Sequence, residues 1–276
     1  MGSSREWLDA ARIQAQLNMA HAARLYAFEL LAEVDSTNTR LLGAATPAPH
    51  AASVCIAESQ TAGRGRLGRS WLAPAGRAVT LSVGWLFRER VRELPAVSLA
   101  AGVAVARALA RCGAHGIQLK WPNDIWFDDR KLGGILPEMR TEATGAAWVV
   151  IGVGINISLD ADAGATLAAR GVRAAGLVEA CAPVLPSRNH VAGAILDELL
   201  GMLLTYEQAG FAAFRTAWTG LDALRGRRSR VILGDSSIAG LACGVDETGA
   251  LLVDTGGQIR KFNSGEVSLR LEGDRA

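Results

Sequence analysis

Lysine is nearly missing from this chain. Lys120, Lys131 and Lys261 are the only three among 29 basic residues, and the rest are arginine. With arginine as the default cation, each lysine marks a candidate position where a compact ammonium serves better than a wide guanidinium. Cysteine is sparse as well. Cys55, Cys112, Cys181 and Cys243 form no C-x-x-C pair, which fits reduced core thiols. His21, His50, His115 and His190 lie far apart and near no cysteine, so no structural zinc is expected. Charge of one sign is not in excess: the net charge is +2, which gives no global reason to bind nucleic acid or an acidic membrane. The longest apolar run, residues 96–110, is broken by Arg107 and is too short to span a bilayer. Glu6 and Asp9 exclude an apolar signal segment at the N-terminus. These absences lead to the expectation of a soluble cytoplasmic protein. Aromatics make up only 5% of the chain, but half the residues are hydrophobic, ample for a buried core. Its 276 residues suit one large domain or a main domain with a satellite.

Residues 7–34 carry Leu8, Ile13, Leu17, Leu25, Phe28 and Leu31 among alanines and charges, which predicts helix. Asp35-Ser36-Thr37-Asn38 offers N-cap residues for a short helix through Leu42. Residues 53–57 and 79–86 read as strands, and Pro95 and Gly113 bracket a helix. Short strands follow at 117–121, 125–127 and 131–136, with Asp128-Asp129-Arg130 as a hairpin turn. A longer strand covers 148–157, and helices cover 189–208 and 211–218. After Arg225-Gly226-Arg227-Arg228 the pattern changes to short strands separated by turns at Gly234-Asp235, Thr248-Gly249, Gly256-Gly257 and Ser264-Gly265. The expected fold class is α+β. Its parts are a helical extension (1–33), a mixed-sheet main domain with flanking helices (34–225) and a small SH3-like β-barrel (226–276).

Gly63-Arg64-Gly65-Arg66-Leu67-Gly68-Arg69 sets three arginines among three glycines. Glycine lets the backbone approach a ligand closely, and arginine pairs with phosphate or carboxylate oxygens. The loop is therefore expected to close over an anion. It also satisfies G-x-G-x-x-G, but no helix follows. The turn-forming Ser70-Trp71-Leu72-Ala73-Pro74 and the strand at Val79 come next, so a dinucleotide fold is excluded. Lys120-Trp121-Pro122-Asn123-Asp124, Lys131-Leu132-Gly133-Gly134-Ile135 and Gly152-Val153-Gly154-Ile155-Asn156 add glycine and polar residues at strand ends. The bland reading is that these glycines mark bulges, that Asn156 caps a turn and that Trp71 is a core tryptophan. Together with the arginine loop, however, they suit a ligand site built on a sheet.

The ordered set Ser36-Thr37-Asn38, Gln60-Thr61-Ala62 with the arginine loop, Lys-Trp-Pro-Asn-Asp, Arg130-Lys131-Leu132-Gly133-Gly134-Ile135-Leu136 and Gly-Ile-Asn resembles the biotin–protein ligases, from about Val34 to Leu271. The resemblance implies a class II synthetase-like sheet, with ATP and Mg²⁺ as cofactors and biotin as substrate. Biotin's carboxylate would attack the α-phosphate of ATP to give biotinyl-5′-AMP. A lysine of a biotin carboxyl carrier domain, from acetyl-CoA carboxylase or a related enzyme, would then take the biotinyl group. By the same resemblance Ser36, Thr37, Asn38 and Gln60 would bind biotin's ureido end, with Gly65 and Gly134 lining its slot. Arg64 and Arg66 would hold the carboxylate and α-phosphate, with Arg69 nearer the leaving phosphates. Lys131 would be the catalytic cation, Trp71 would stack on adenine, and Asn156 and Lys120 would face the nucleotide. Asn123 would orient phosphates, and Asp124 would meet Mg²⁺.

Two positions depart from the family pattern. Leu67 replaces a further basic residue, and Pro137, placed at a strand end, lacks the N–H that strand addition across that edge would use. The 30 or so residues before Asp35 are expected to be too few for the winged helix-turn-helix of repressor relatives. A monomer or weak homodimer without sequence-specific DNA binding is therefore expected. A lipoate-type ligase shares the chemistry but not the Ser-Thr-Asn string. A nucleic-acid clamp lacks a basic chain, and a hydrolase at Gly234-Asp235-Ser236 lacks a nearby histidine.

Overall fold

The structure, a computed structural model, describes residues 6–72, 74–88, 94–264 and 267–271. Ala73, after the arginine loop, and Gly265, in the last anticipated turn, lie outside the described residues.

Seven strands form one mixed sheet: β1 (Leu25–Val34), β2 (Ala52–Gln60), β3 (Ala78–Phe87), β4 (Ile117–Lys120), β5 (Asp124–Phe127), β6 (Arg130–Thr141) and β7 (Ala147–Asn156). Their order is β1-β2-β3-β7-β6-β5-β4. The β1–β2 pair is parallel, and the remaining pairs are antiparallel. The helices are α1 (Ala10–Gln14), α2 (Met19–Ala22), α3 (Thr37–Leu42), α4 (Leu94–Arg111), α5 (Ala161–Ala169), α6 (Leu177–Ala180), α7 (Arg188–Ala209) and α8 (Ala212–Leu221). A second sheet, β8 (Arg228–Leu233), β9 (Ser236–Val245), β10 (Leu251–Asp254), β11 (Ile259–Phe262) and β12 (Val267–Leu271), has the order β11-β10-β9-β8-β12 and is antiparallel throughout. It is the small all-β module expected from the turn spacing.

The helix expected over residues 7–34 is corrected. Two short helices end at Ala22, and the chain then enters β1, which pairs with β2 from Leu25↔Ala52 to Val34↔Gln60. Leu, Ala and Glu favour helix locally, but Phe28 and Leu30 pack into one core while Leu31 packs into another. Alternation across a sheet satisfies both contacts, and tertiary pairing outweighs propensity. The sheet thus begins at Leu25, inside the segment assigned to a helical extension.

The strand period of two divides the sheet into unlike faces. Val79, Leu81, Val83, Trp85 and Phe87 of β3, with Val149, Ile151, Val153 and Ile155 of β7, join the main core beneath α4 and α7. The alternate residues Thr80, Ser82 and Gly84, and Gly152 and Gly154, face the other way, toward α3. A smaller cluster of Leu41, Cys55, Trp148 and Val150 seals part of that second face. The core-thiol reading holds for the buried Cys55, Cys112 and Cys181, and burial pushes the Cys55 thiol up to about 12. Cys243 is half-buried rather than core.

The two sheets meet through directional contacts. Trp121 is buried and donates its indole N–H to the Gly249 carbonyl at 3.1 Å. Arg227 meets Asp129 with two hydrogen bonds, at 2.6 and 2.9 Å.

Candidate active site

A pocket opens on the second face of the large sheet, over the ends of β3, β7 and β6. Its polar end is built by α3. Ser36 is the N-cap of that helix and accepts from the Thr39 amide, while Thr37 and Asn38 in the first turn are buried. The Thr37 amide and hydroxyl both donate to Gln60 Oε1, at 2.8 and 3.2 Å. Ser82, fully buried on β3, stands within hydrogen-bond distance of Thr37 Oγ1 at 2.7 Å and Asn38 Oδ1 at 2.6 Å. Asn38 Nδ2 donates to the Leu136 carbonyl at 3.0 Å and to Glu138 at 2.7 Å. An amide NH₂ has two hydrogens, and both are committed here, so Asn38 has only acceptor capacity left to offer a ligand.

The floor is glycine. A Cβ on Gly152 would meet Asn38 Oδ1 at 2.3 Å, and one on Gly154 would meet the Trp71 ring at 2.4 Å. Gly134 also lines the pocket, but Gly133 does not. A Cβ on Gly133 would meet Ile155 Cδ1 at 2.5 Å, so that glycine serves close packing on the core face. Trp71 lies against the Gly154 floor, and its buried indole N–H has no partner.

A β-bulge decides where Lys131 points. On β5, Ile125 pairs with Gly133 and the next residue, Trp126, pairs with Lys131, so Leu132 is the extra residue. In an unbroken strand Lys131 would share the core face with Gly133 and Ile135. The bulge re-aims it, and its Nζ meets Asp124 Oδ1 at 2.6 Å within the pocket. The backbone of residues 173–175 pins it from the other side, with Lys131 N–H to the Arg173 carbonyl at 2.7 Å and Ala175 N–H to the Lys131 carbonyl at 2.9 Å. Burial pushes the pKa of Asp124 up, but the Lys131 and Lys120 charges outweigh it, and the net shift is downward. The carboxylate is therefore ionised.

The arginine loop forms a closed hairpin. Trp71 N–H bonds the Gly63 carbonyl at 2.8 Å, and Gly65 N–H bonds the Arg69 carbonyl at 2.6 Å. Leu67 sits at its tip in the left-handed region (φ 57°), beside Gly68 at φ 71°. The first is costly for leucine. Arg64 Nη2 meets Glu138 at 2.7 Å, Arg66 bonds the Ser264 carbonyl of the C-terminal module, and Arg69 Nε donates to the Arg66 carbonyl at 3.3 Å. Burial depresses the Arg66 pKa, the nearby Arg69 charge adds to this, and Asp124 offsets part of it. An entering anion would relieve that strain.

Of the residues singled out in the sequence, Ser36, Thr37, Asn38, Gln60, Arg64, Gly65, Arg66, Arg69, Trp71, Asn123, Asp124, Lys131, Gly134 and Asn156 all line this pocket. Lys120 does not: it lies 4.7 Å from the Trp126 ring centroid and acts on Asp124 through its charge. Asn123 is committed to holding β6, donating to the Ile135 carbonyl at 2.9 Å, and Asn156 Nδ2 donates to the Ala175 carbonyl at 3.2 Å. Pro137 is corrected from strand end to strand interior, opposite Ile151. Two bonds with Asn123 turn the backbone of Ile135 away from β7, so Pro137, two residues on, also directs its nitrogen outward. Sequence reasoning missed Ser82, Glu138 and the wall formed by Leu167, Val172 and Ala174. The polar Thr80 and Ser82 alternating through an apolar strand were a readable signal. The wall carries no such mark.

Comparison with known proteins gives this arrangement a family. Residues 30–156 match the Biotin/lipoate A/B protein ligase family, and residues 226–270 match the biotin protein ligase C terminal domain. The bifunctional ligase/repressor BirA of Salmonella typhimurium is 35% identical over 266 residues, spanning 95% of this chain and 78% of that protein. The chain belongs to the biotin protein ligase family. A biotin–[acetyl-CoA-carboxylase] ligase of Mycobacterium tuberculosis is also 35% identical, over 87% of each chain. Among solved structures, the biotin protein ligase of Aquifex aeolicus in complex with biotin and ATP shares the family fold. Its TM-score is 0.74 at 28% identity, covering 90% of this chain and all of that one.

Proposed function

We propose that this member of the family activates biotin with ATP as biotinyl-5′-AMP and passes the biotinyl group to a lysine of a biotin carboxyl carrier domain. The observation that carries the reading is the bulge at Leu132. It aims Lys131 into the same pocket as the arginine loop, at one end of a slot whose other end is the Thr37–Asn38–Gln60–Ser82 network. A ureido group has one carbonyl and two N–H groups, and that end offers hydroxyls and amide oxygens able to answer both. Gly134 leaves room for a flat bicycle, Gly152 lets Asn38 come close to the slot, and Gly154 becomes open floor once Trp71 moves.

Lys131 releases Asp124 to sit between carboxylate and α-phosphate, where a compact ammonium can touch both. Arg64 holds the carboxylate, Arg66 the α-phosphate and Arg69 the leaving phosphates. Trp71 leaves the Gly154 floor to stack on adenine, which leaves its indole N–H free to find a partner. Asn156 supports the nucleotide side through residues 172–175. The chain offers one pocket carboxylate for Mg²⁺, Asp124, and no group of three metal-ligating side chains among the described residues. That suits an ion that arrives on ATP and keeps most of its water. When bound it would neutralise phosphate charge.

The near-neutral chain offers no excess of positive charge for DNA, and the reading is of an enzyme without sequence-specific DNA binding. Among the described residues no helix is long and apolar enough to cross a membrane. Pro137 has no N–H to give a second strand at its edge, which favours a monomer or weak dimer.

The test is transfer of labelled biotin to an apo carrier domain with ATP and Mg²⁺, with lipoate run alongside. Labelling of one carrier lysine by biotin is expected. Absence of transfer by folded protein, or preference for lipoate, overturns the reading.

A further inference from the structure

Glu138 joins two parts of the site that the sequence holds far apart. Its Oε2 accepts from Asn38 Nδ2 at 2.7 Å and from Arg64 Nη2 at 2.7 Å. It stands on β6 opposite Val150, so its backbone is fixed by the sheet. It is absent from the residues lining the substrate pocket, and instead lines the cavity on the outer side of the arginine loop, beside Leu136. Glu138 therefore acts through other residues. Its side chain is one-quarter exposed, so the carboxylate is not sealed from water, yet both bonds are short.

The consequence for Asn38 follows from donor counting. With one hydrogen on the Leu136 carbonyl and the other on Glu138, the amide cannot flip without losing both bonds. Its Oδ1 is thereby kept toward Ser82 and the slot. The consequence for Arg64 is positional. Glycines on both sides give the loop backbone little resistance to movement, and the bond to Glu138 ties it to a rigid strand. One carboxylate oxygen thus sets both the acceptor that faces the ligand and the place where the loop closes.

We propose that Glu138 is a positioning residue that registers the arginine loop against Asn38, so that filling the slot and closing the loop over the activated acid are linked. The proposal rests on the biotin reading above.

Glu138→Ala and Glu138→Gln test it. The alanine variant frees both partners. The glutamine variant keeps an acceptor oxygen of the same reach but loses the charge that holds Arg64. Biotin-dependent ATP–pyrophosphate exchange should show a KM for biotin raised about tenfold in the alanine variant, with glutamine between it and the original. The kcat at saturating biotin should change less than about threefold. Preformed labelled adenylate should leave both variants faster, and trypsin should cut the free loop faster at Arg64. A residue needed only for folding would lower thermal stability without this KM-against-kcat split. If the alanine variant does not fold, the glutamine variant carries the same test. Unchanged KM and adenylate release in folded variants overturn the proposal, as does a fall in kcat with KM unmoved. A wild-type protein with no biotin-dependent exchange would instead sink the biotin reading. Tryptic cleavage at Arg64, measured without biotin, then still decides whether Glu138 tethers the loop.

Discussion

One sheet carries two kinds of surface, and strands β3 and β7 supply both. Leu81 and Ser82 are neighbours in sequence and both fully buried. Leu81 enters the apolar core with Val83 and Ile151, while Ser82 joins a hydrogen-bonded network with Thr37 and Asn38. Gly133 and Gly134 divide the same way, the first pressed on Ile155 and the second open to the pocket. The stable face is what allows the other to hold glycines and buried polar groups, each of which costs folding free energy by itself. Changes on one face should then register as stability, and changes on the other as ligand affinity.

Gly152→Ala should show the largest separation. Its new Cβ would lie 2.3 Å from Asn38 Oδ1, so the amide must move and break its network. Biotin affinity by calorimetry should fall about 100-fold, near 2.7 kcal/mol, with cooperative unfolding retained. Unchanged affinity would show that Asn38 does not face the ligand. Leu81→Ala should do the reverse, costing about 2–5 kcal/mol in denaturant unfolding. The folded fraction should keep biotin affinity within about twofold, and a larger loss would mean that the faces are coupled.

Ser82→Ala removes the single hydroxyl hydrogen that Thr37 Oγ1 and Asn38 Oδ1 compete for, leaving one buried acceptor short of a donor. A cost of about 1–3 kcal/mol is expected, shared between melting temperature and biotin affinity. An effect on melting alone would move Ser82 to the structural side of the comparison.

Asp222 belongs to neither face, lying beside β4 through a bridge to Leu119. Burial pushes its pKa up to about 6, against the pull of the Leu224 and Arg225 amides and the Arg225 charge. A carboxyl that holds its proton more tightly when folded destabilises the fold increasingly as pH rises from 3.8 toward about 6, and by a constant amount above that. Asp222→Asn should therefore raise the melting temperature slightly at pH 7 and flatten its dependence between those two values. Biotin affinity should not change. An unaltered pH profile would contradict the assignment.

The strands of the sheet core were largely readable, because alternating or continuous β-branched runs between turn residues leave few other solutions. β1 was not, since Leu25, Ala27, Leu30 and Ala32 are good helix formers and its pairing with β2 is set by residues 25 or more positions away. The site was readable where it uses glycine, arginine and a rare lysine. The bulge at Leu132 left no mark, because a bulged leucine looks like any core leucine. The wall at residues 167–174 and the relay through Glu138 depend on chain reversals that local patterns do not encode.

Biotin-dependent ATP–pyrophosphate exchange by Lys131→Ala, set beside its biotin affinity, is the most direct test of the claim that this face is an adenylating surface. The predicted result is exchange slowed by about 100-fold or more, with biotin affinity within about threefold of the original. Near-normal exchange in that variant would contradict the claim, because the cation aimed by the bulge would then take no part in the chemistry.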